Sequence, residues 1–294
     1  MGKVVKVLHS RSTDSFAHPP SRIFGMKLTP IDPHEKISLG DKAALPPRSL
    51  DADDEVLDRK MDKLRARLDE LQSALYAEAK RSLLVVLQAR DAGGKDGTIR
   101  RVFSSVNPQG CAVTAFKAPS PLELAHDYLW RVHAAVPAYG MIGIFNRSQY
   151  EDVLVVRVHK LVPKKVWKER YDQINDFERM LTENGVTILK FFLHISREEQ
   201  RVRLTERLTD PSKNWKFQAG DLDERKLWDE YTRAYVDVFR KCSTKYAPWF
   251  LVPADRKHAR DYLVLEKIVS TLEDMHPKYP KADQKALKLL SKLE

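Results

Sequence analysis

Cysteine is nearly absent from this 294-residue chain, which holds only Cys111 and Cys242. Two thiols so far apart exclude a disulfide scaffold and a cysteine-built metal knuckle. Both read as reduced, buried, small hydrophobes. Long apolar runs are missing too. No stretch approaches the roughly 20 residues a bilayer-spanning helix needs. The apolar part of Met1–Ser10 is too short for a secretory signal. The expectation is a cytoplasmic chain with no membrane partner. There is no internal repeat and no low-complexity tract. Also missing are a Ser-His-Asp arrangement, the spaced ligands of a metal site and a dinucleotide fingerprint. His126 and His133 lie on one predicted helix without a third ligand.

What the chain does have is positive charge and one glycine turn. Lys and Arg number 51 against 41 Asp and Glu, a net charge of +10. Such an excess draws polyanions, whether nucleic acid, anionic membrane or polyphosphate, or it simply solvates a surface. The chain is organised around Arg81 to Arg101. Leu83 to Leu87 is an unbroken apolar run, the pattern of a strand buried on both faces. A polar turn with Gly93, Gly94 and Lys95 follows, and Ile99, Val102 and Phe103 resume at helical spacing. Strand, glycine turn with lysine, then helix is the layout of a phosphate-binding loop. Backbone N–H groups at the helix start face the phosphate, and the lysine adds a mobile charge. Against the pattern G-x-x-x-x-G-K-[ST], Gly94 and Lys95 fit. Ala89 replaces the first glycine, and Asp96 replaces the metal-binding hydroxyl. Asp91 offers a hard carboxylate ligand for Mg²⁺ instead. The competing reading is an ordinary strand-to-helix turn with a capping Asp.

Residues 1–50 read as an extension punctuated by His18-Pro-Pro, Thr29-Pro-Ile-Asp-Pro and Leu45-Pro-Pro. Residues 51–294 read as a single domain. Leu57, Met61, Leu64, Leu68, Leu71 and Leu75 predict an amphipathic helix from Asp51 to about Lys80. Strands are predicted at Cys111–Phe116, Met141–Phe145, Val186–Ile195 and Trp249–Asp255, the last ending at a polar tip, with Val186–Ile195 in a central place. Helices are predicted at Glu123–His133, Tyr171–Glu183, Arg197–Leu208, Leu222–Cys242 and Tyr262–Met275. Strands alternating with long helices predict an α/β fold, a mostly parallel sheet covered on both faces. Ligands then sit beyond the carboxyl ends of the strands. Asp91 to Lys95, Asn146-Arg147-Ser148, His194 to Arg197 and Asp255-Arg256-Lys257 are expected to converge there.

Three further constellations bear on phosphate chemistry. Asn146 ends a predicted strand where phosphate-loop kinases place a metal-orienting carboxylate, and Glu151 and Asp152 follow it. Arg147 suits phosphoryl oxygens because its forked donors match them. The same Asn-Arg-Ser also reads as a helix cap with a surface ion pair. Arg197, Arg201, Arg203 and Arg207 crowd one helix. They suit either a solvated, ion-paired face or a lid that closes over phosphates. Lys117, Asp127 and Arg131 are positioned to grip a nucleotide, or Asp127 and Arg131 simply pair at i,i+4.

Several motifs in order carry a resemblance. They are Leu83 to Arg100, Val106-Asn-Pro-Gln-Gly, Phe116-Lys-Ala-Pro, Phe145 to His159, and Asp210-Pro-Ser-Lys-Asn-Trp-Lys-Phe. Together they resemble the second family of polyphosphate kinases, from about Leu64 to the closing helix. The resemblance implies a three-layer α/β/α phosphate-loop fold similar to thymidylate kinase. A helical lid would occupy about residues 197–225. It implies Mg²⁺-dependent phosphoryl transfer between inorganic polyphosphate and AMP or ADP, giving or using ATP. By that likeness Asp91 and Lys95 handle metal and phosphate, with Arg147 and Glu151 beside them and Glu151 sharing the metal. Ala92, Gly93, Gly94, Lys95, Asp96, Arg100, Arg197, Arg201 and Arg203 meet phosphates. Lys117, Asp127, Arg131 and Asn146 meet the nucleotide. Asn146 with Glu151 resembles the subgroup acting on AMP as well as ADP. A homodimer or homotetramer is implied, with the Asp51–Lys80 helix a candidate contact. The family's loop usually starts with glycine, so Ala89 predicts a shifted loop or weakened activity, because alanine tolerates positive φ poorly. An ATP-dependent nucleotide kinase is the rival within the same chemistry. A basic nucleic-acid-binding protein is the rival outside it, opposed by the lack of aromatics interleaved with the basic residues.

Overall fold

The leucine spacing of the first predicted helix is realised in α1 (Asp54–Glu78), where Leu57, Met61, Leu64, Leu68, Leu71 and Leu75 are all buried. The helix stops at Ala79, whose left-handed backbone lets its N–H donate to Leu75 O. The computed structural model describes residues 27–50, 53–283, 285 and 289. The proline-punctuated part of the extension before residue 27 lies outside the described residues. The next elements in chain order are β1 (Ser82–Ala89), α2 (Lys95–Val102), β2 (Cys111–Ala115), α3 (Pro121–Leu124), α4 (Trp130–Ala134) and β3 (Ile142–Asn146). Then come α5 (Val155–Val158), α6 (Lys164–Glu183), β4 (Val186–His194), α7 (Arg197–Thr209), α8 (Gly220–Lys226), α9 (Trp228–Cys242), β5 (Trp249–Pro253) and α10 (Lys257–Met275).

The five strands form one parallel sheet in the order β2-β3-β1-β4-β5. All eight residues of β1 are buried, as its apolar run predicts for a strand covered on both faces. β1 takes the middle of the sheet. β4, though longer, lies one place out, between β1 and β5. One face packs on α1, α2 and α10 through Leu57, Leu68, Val85, Phe191, Leu265 and their neighbours. The other packs on α6 and α9 through Val86, Phe145, Ile174, Phe192, Val238 and Trp249. This is the expected three-layer α/β/α architecture.

Two predicted helices are each divided. Glu123–His133 becomes α3 and α4, because Asp127 turns its carboxylate onto Leu129 N–H (2.9 Å) and diverts the chain between them. Asp127 and Arg131 therefore do not share a helix face. Arg131 instead reaches Lys117 O (2.9 Å) and Glu123 (3.8 Å). Leu222–Cys242 becomes α8 and α9, with Leu227 between them. Of the extension, residues 27–50 run past the outer strand. Ile31 N–H donates to Trp249 O (2.8 Å), and Asp255 N–H donates to Ala44 O (3.1 Å).

Candidate active site

The loop between β1 and α2 sets the geometry. Ala89 is the last residue of β1, paired with Leu193, and is not among the residues with positive φ. The positive φ expected there lies elsewhere, at Ala92 (φ 60°), where it strains a residue with a Cβ, and at Gly94 (φ 96°). Ala89 instead constrains Gly93, where an added Cβ would lie 2.5 Å from the Ala89 methyl. Gly94 caps α2 in the left-handed conformation that glycine adopts without cost. Lys95 folds back over the loop, and its Nζ donates to Ala89 O (3.3 Å). Burial, then the Arg147 charge, push the Lys95 pKa down, while Asp91, Glu151 and Asp96 oppose them.

The ends of the strands converge as expected. Arg147 follows β3 with φ 65°, and its N–H donates to Leu87 O (3.1 Å). That left-handed backbone, unusual for a side chain with a Cβ, turns the guanidinium toward Asp91, 3.5 Å away. Burial opposes the Arg147 charge, but Glu151 and Asp91 outweigh it and hold the pKa above its ordinary value. Glu151 lies on a single helical turn, Gln149–Asp152, capped by the Ser148 hydroxyl. Burial raises its pKa, with Arg147 and Lys95 pulling the other way. Asp91, Arg147 and Glu151 line one cavity of about 260 Å³ together with Ala89, Arg90, Gln200, Trp228, Tyr231 and Tyr235.

The turn carrying Glu151 is anchored from below. Lys190, fully buried in β4, pairs with Glu178 of α6 (2.5 Å) and donates to Tyr150 OH (2.7 Å) and Cys242 O (2.8 Å). Tyr150 and Gln149 in turn donate to Glu178 Oε1 at 2.8 and 3.0 Å.

Other predicted residues separate. Asn146 donates to Asp96 Oδ1 (2.7 Å), which ties the end of β3 to the start of α2. Arg100 is exposed on α2. Lys117, Asp127 and Arg131 lie around α3 and α4 and do not line the cavity beside Asp91 and Arg147. The predicted arginine helix divides its roles. Arg201 pairs with Glu198 on the surface (2.6 Å). Arg197 is exposed, its N–H meeting Asp41 (3.3 Å). Arg203 is buried, donating to Ala92 O, Ala254 O and Asp255 O at 3.1, 2.6 and 3.1 Å and pairing with Glu199. It braces the phosphate loop against the end of β5. The segment after α7 folds over the cavity, where Gln218, Gly220, Asp221 and Glu224 line it. Arg225 holds this segment to Arg197 O and Gln200 Oε1 (both 2.8 Å), and Glu224 pairs with His159 (2.8 Å).

Arg90 and the aromatic wall escape sequence reasoning. Arg90 stacks on Trp228 (4.0 Å to the ring centre) and lies 3.4 Å from His194 Nδ1. Burial pushes Arg90 down to about 10 and His194 down to about 4. The imidazole is therefore neutral near pH 7, and two like charges do not meet. The spacing of Trp228, Tyr231 and Tyr235 along α9 was a legible signal of one helix face.

No group of three or more His, Cys, Asp or Glu forms a metal cluster among the described residues. The two carboxylates, Asp91 and Glu151, do fit Mg²⁺, which commonly takes one or two carboxylates and completes its shell with water and phosphate. No helix among the described residues is long and apolar enough to cross a membrane.

The chain is similar to known proteins over most of its length. An AMP/ADP-polyphosphate phosphotransferase of Meiothermus ruber is 56% identical over 227 residues, 77% of this chain and 85% of that protein. An ADP-polyphosphate phosphotransferase of Rhodopseudomonas palustris is 47% identical over 226 residues, 73% and 78% of the two chains. The crystal structure of polyphosphate kinase 2 from Arthrobacter aurescens TC1 superposes with a TM-score of 0.83 at 41% identity, covering 91% of this chain and 96% of that one. The family model for polyphosphate kinase 2 (PPK2) matches residues 51–280, and the chain belongs to that family.

Proposed function

We propose that this protein transfers a phosphoryl group between inorganic polyphosphate and AMP or ADP. The observation that carries the reading is the convergence of Lys95, Arg147, Asp91 and Glu151 beside one cavity at the glycine loop. Relatives named for transfer between polyphosphate and AMP or ADP support it. An oxygen of the acceptor phosphate bonds to the terminal phosphorus of the chain, and the bridging P–O bond of that phosphorus breaks. The electron pair leaves on the shortened polyphosphate. The attacking oxygen is already anionic, so no strong general base is needed. The work lies in aligning two polyanions and offsetting their repulsion. Lys95 and Arg147 supply positive charge at the loop. Asp91 and Glu151 would hold Mg²⁺, which when bound neutralises phosphoryl charge. Trp228, Tyr231 and Tyr235 offer the cavity an aromatic wall suited to a nucleoside. Assembly as a homodimer or homotetramer in the cytoplasm belongs to the same reading.

Phosphorus NMR of AMP, Mg²⁺ and polyphosphate tests it. With the protein present, the two coupled resonances of ADP should grow as the terminal polyphosphate signal changes. Turnover only when ATP replaces polyphosphate would establish the nucleotide-kinase rival instead.

A further inference from the structure

At the start of α2, donor groups face donor groups. The first backbone bond of that helix runs from Thr98 N–H to Gly94 O (2.9 Å). The N–H groups of Lys95, Asp96 and Gly97 find no acceptor among the described residues. Against them lies Arg260 of α10, only 2% exposed. A Cβ on Gly94 would lie 2.0 Å from Arg260 Nη1, and one on Gly97 would lie 3.6 Å from Nη2, so the guanidinium is pressed onto this turn. Its Nε donates to Asp261 Oδ1 (2.7 Å), but neither Nη has an acceptor among the described residues. Asp261, itself fully buried, is fixed by the Thr98 hydroxyl (2.8 Å) and is shared with Arg101 (3.4 Å). A second guanidinium, that of Arg203, lies 3.5 Å from the same Gly94 position. Each nitrogen of the Arg203 guanidinium has an acceptor, on a carbonyl or Glu199, whereas the two Nη of Arg260 have none among the described residues. Donors without an acceptor beside a positive helix end suit an anion that can accept from them.

We propose that Arg260, aimed by Asp261, is a phosphate ligand of the polyphosphate site, acting with the free N–H groups of Lys95, Asp96 and Gly97. This rests on the phosphotransferase reading above. Arg260 serves the donor chain rather than the nucleotide because of where it sits. The aromatic cavity opens on the side of the sheet covered by α9, while α10 covers the opposite side. A bare polyanion needs only cations and N–H groups, whereas a nucleoside gains from the aromatic wall.

The test compares wild type with R260M and R260K, reading KM for polyphosphate, KM for AMP and the rise in Tm that polyphosphate induces. R260M should raise KM for polyphosphate about tenfold or more, the scale of a charge-assisted hydrogen bond, with KM for AMP within about twofold of wild type. R260K should recover part of that loss, and the polyphosphate-induced rise in Tm should shrink in R260M. An unchanged polyphosphate KM would overturn the assignment. So would equal increases in both KM values, or a lower Tm with the polyphosphate-induced rise intact, since these mark a brace. If R260M does not fold, R260K decides alone: a KM for polyphosphate raised several-fold supports the ligand role, and an unchanged one overturns it. A wild-type protein inert with polyphosphate would fail the functional reading itself; an active wild type with indifferent variants fails only Arg260.

Discussion

At the scale of single residues, the loop residues divide into those proposed to meet phosphate and those that let the loop close. Lys95 and Asp91 make few bonds that hold the fold: among the described residues Lys95 Nζ reaches only Ala89 O, and the Asp91 carboxylate faces Arg147. Lys95→Ala and Asp91→Ala should therefore leave the circular dichroism spectrum and Tm close to wild type. Both should lower kcat by about 10³-fold or more, the scale of removing one charge-stabilising group. Near-wild-type turnover in either would overturn the role of the loop. Ala89 and Gly93 behave as one packing unit, because a methyl is present at one and excluded at the other. Gly93→Ala should cost about 1–3 kcal/mol by overpacking, measured by urea denaturation. Adding Ala89→Gly should recover part of the loss, with Arg90 O still 2.9 Å from the new methyl. A double variant no more stable than the single one would remove Ala89 as the obstacle. The glycine and lysine of this loop were legible in sequence. That Ala89 would be unstrained was not, because positive φ belongs to the path of the folded chain and passes to Ala92.

At the scale of elements, the turn after β3 that carries Glu151 is anchored by a buried ion pair between β4 and α6. Lys190 and Glu178 are both fully buried, and Glu178 takes two further hydrogen bonds from Gln149 and Tyr150. Lys190→Met alone strands the carboxylate and should cost about 3–5 kcal/mol in chemical denaturation. Lys190→Met with Glu178→Leu should be more stable than Lys190→Met alone, yet slower in kcat than wild type, because the turn carrying Glu151 loses its anchor. A double variant with wild-type kcat would show that the turn holds itself. Nothing in the apolar run Val186–Ile195 marked Lys190 as a core cation, since its partners come from elements far away in sequence. The arginine helix teaches the same lesson. Its four arginines look alike along the chain, but Arg203 is buried in loop carbonyls while Arg201 faces solvent. Which face of α7 meets the loop is decided by packing against β5 and its following turn.

At the scale of the whole molecule, a net charge of +10 and a proposed polyanionic substrate make association sensitive to ionic strength. KM for polyphosphate should rise steeply with added salt, and KM for AMP, which carries far less charge, should rise less. Steady-state kinetics across a salt series checks this. Parallel dependence of the two would show that the basic surface does not steer the chain. The layered architecture itself was legible, since a run buried on both faces is apolar at every position and parallel strands need helical crossovers between them. Divided helices were less so: the Asp127 turn that separates α3 from α4 interrupts an apolar spacing that continues across it.

The sequence by itself determined the alternation of strands and helices, the glycine loop, and the polar tips that end β1, β3, β4 and β5. Those features are written in local spacing and in residue types that suit buried strands, turns and helix starts. Only the tertiary structure decided which cations stand where. Arg203 became a brace, and Arg260 became a buried residue whose Nη groups, with no acceptor among the described residues, face the start of α2. Trp228, Tyr231 and Tyr235 came to wall the cavity beside Asp91, Arg147 and Glu151. Identical side chains acquire different roles when burial and distant acceptors differ, and those are set by how the layers pack.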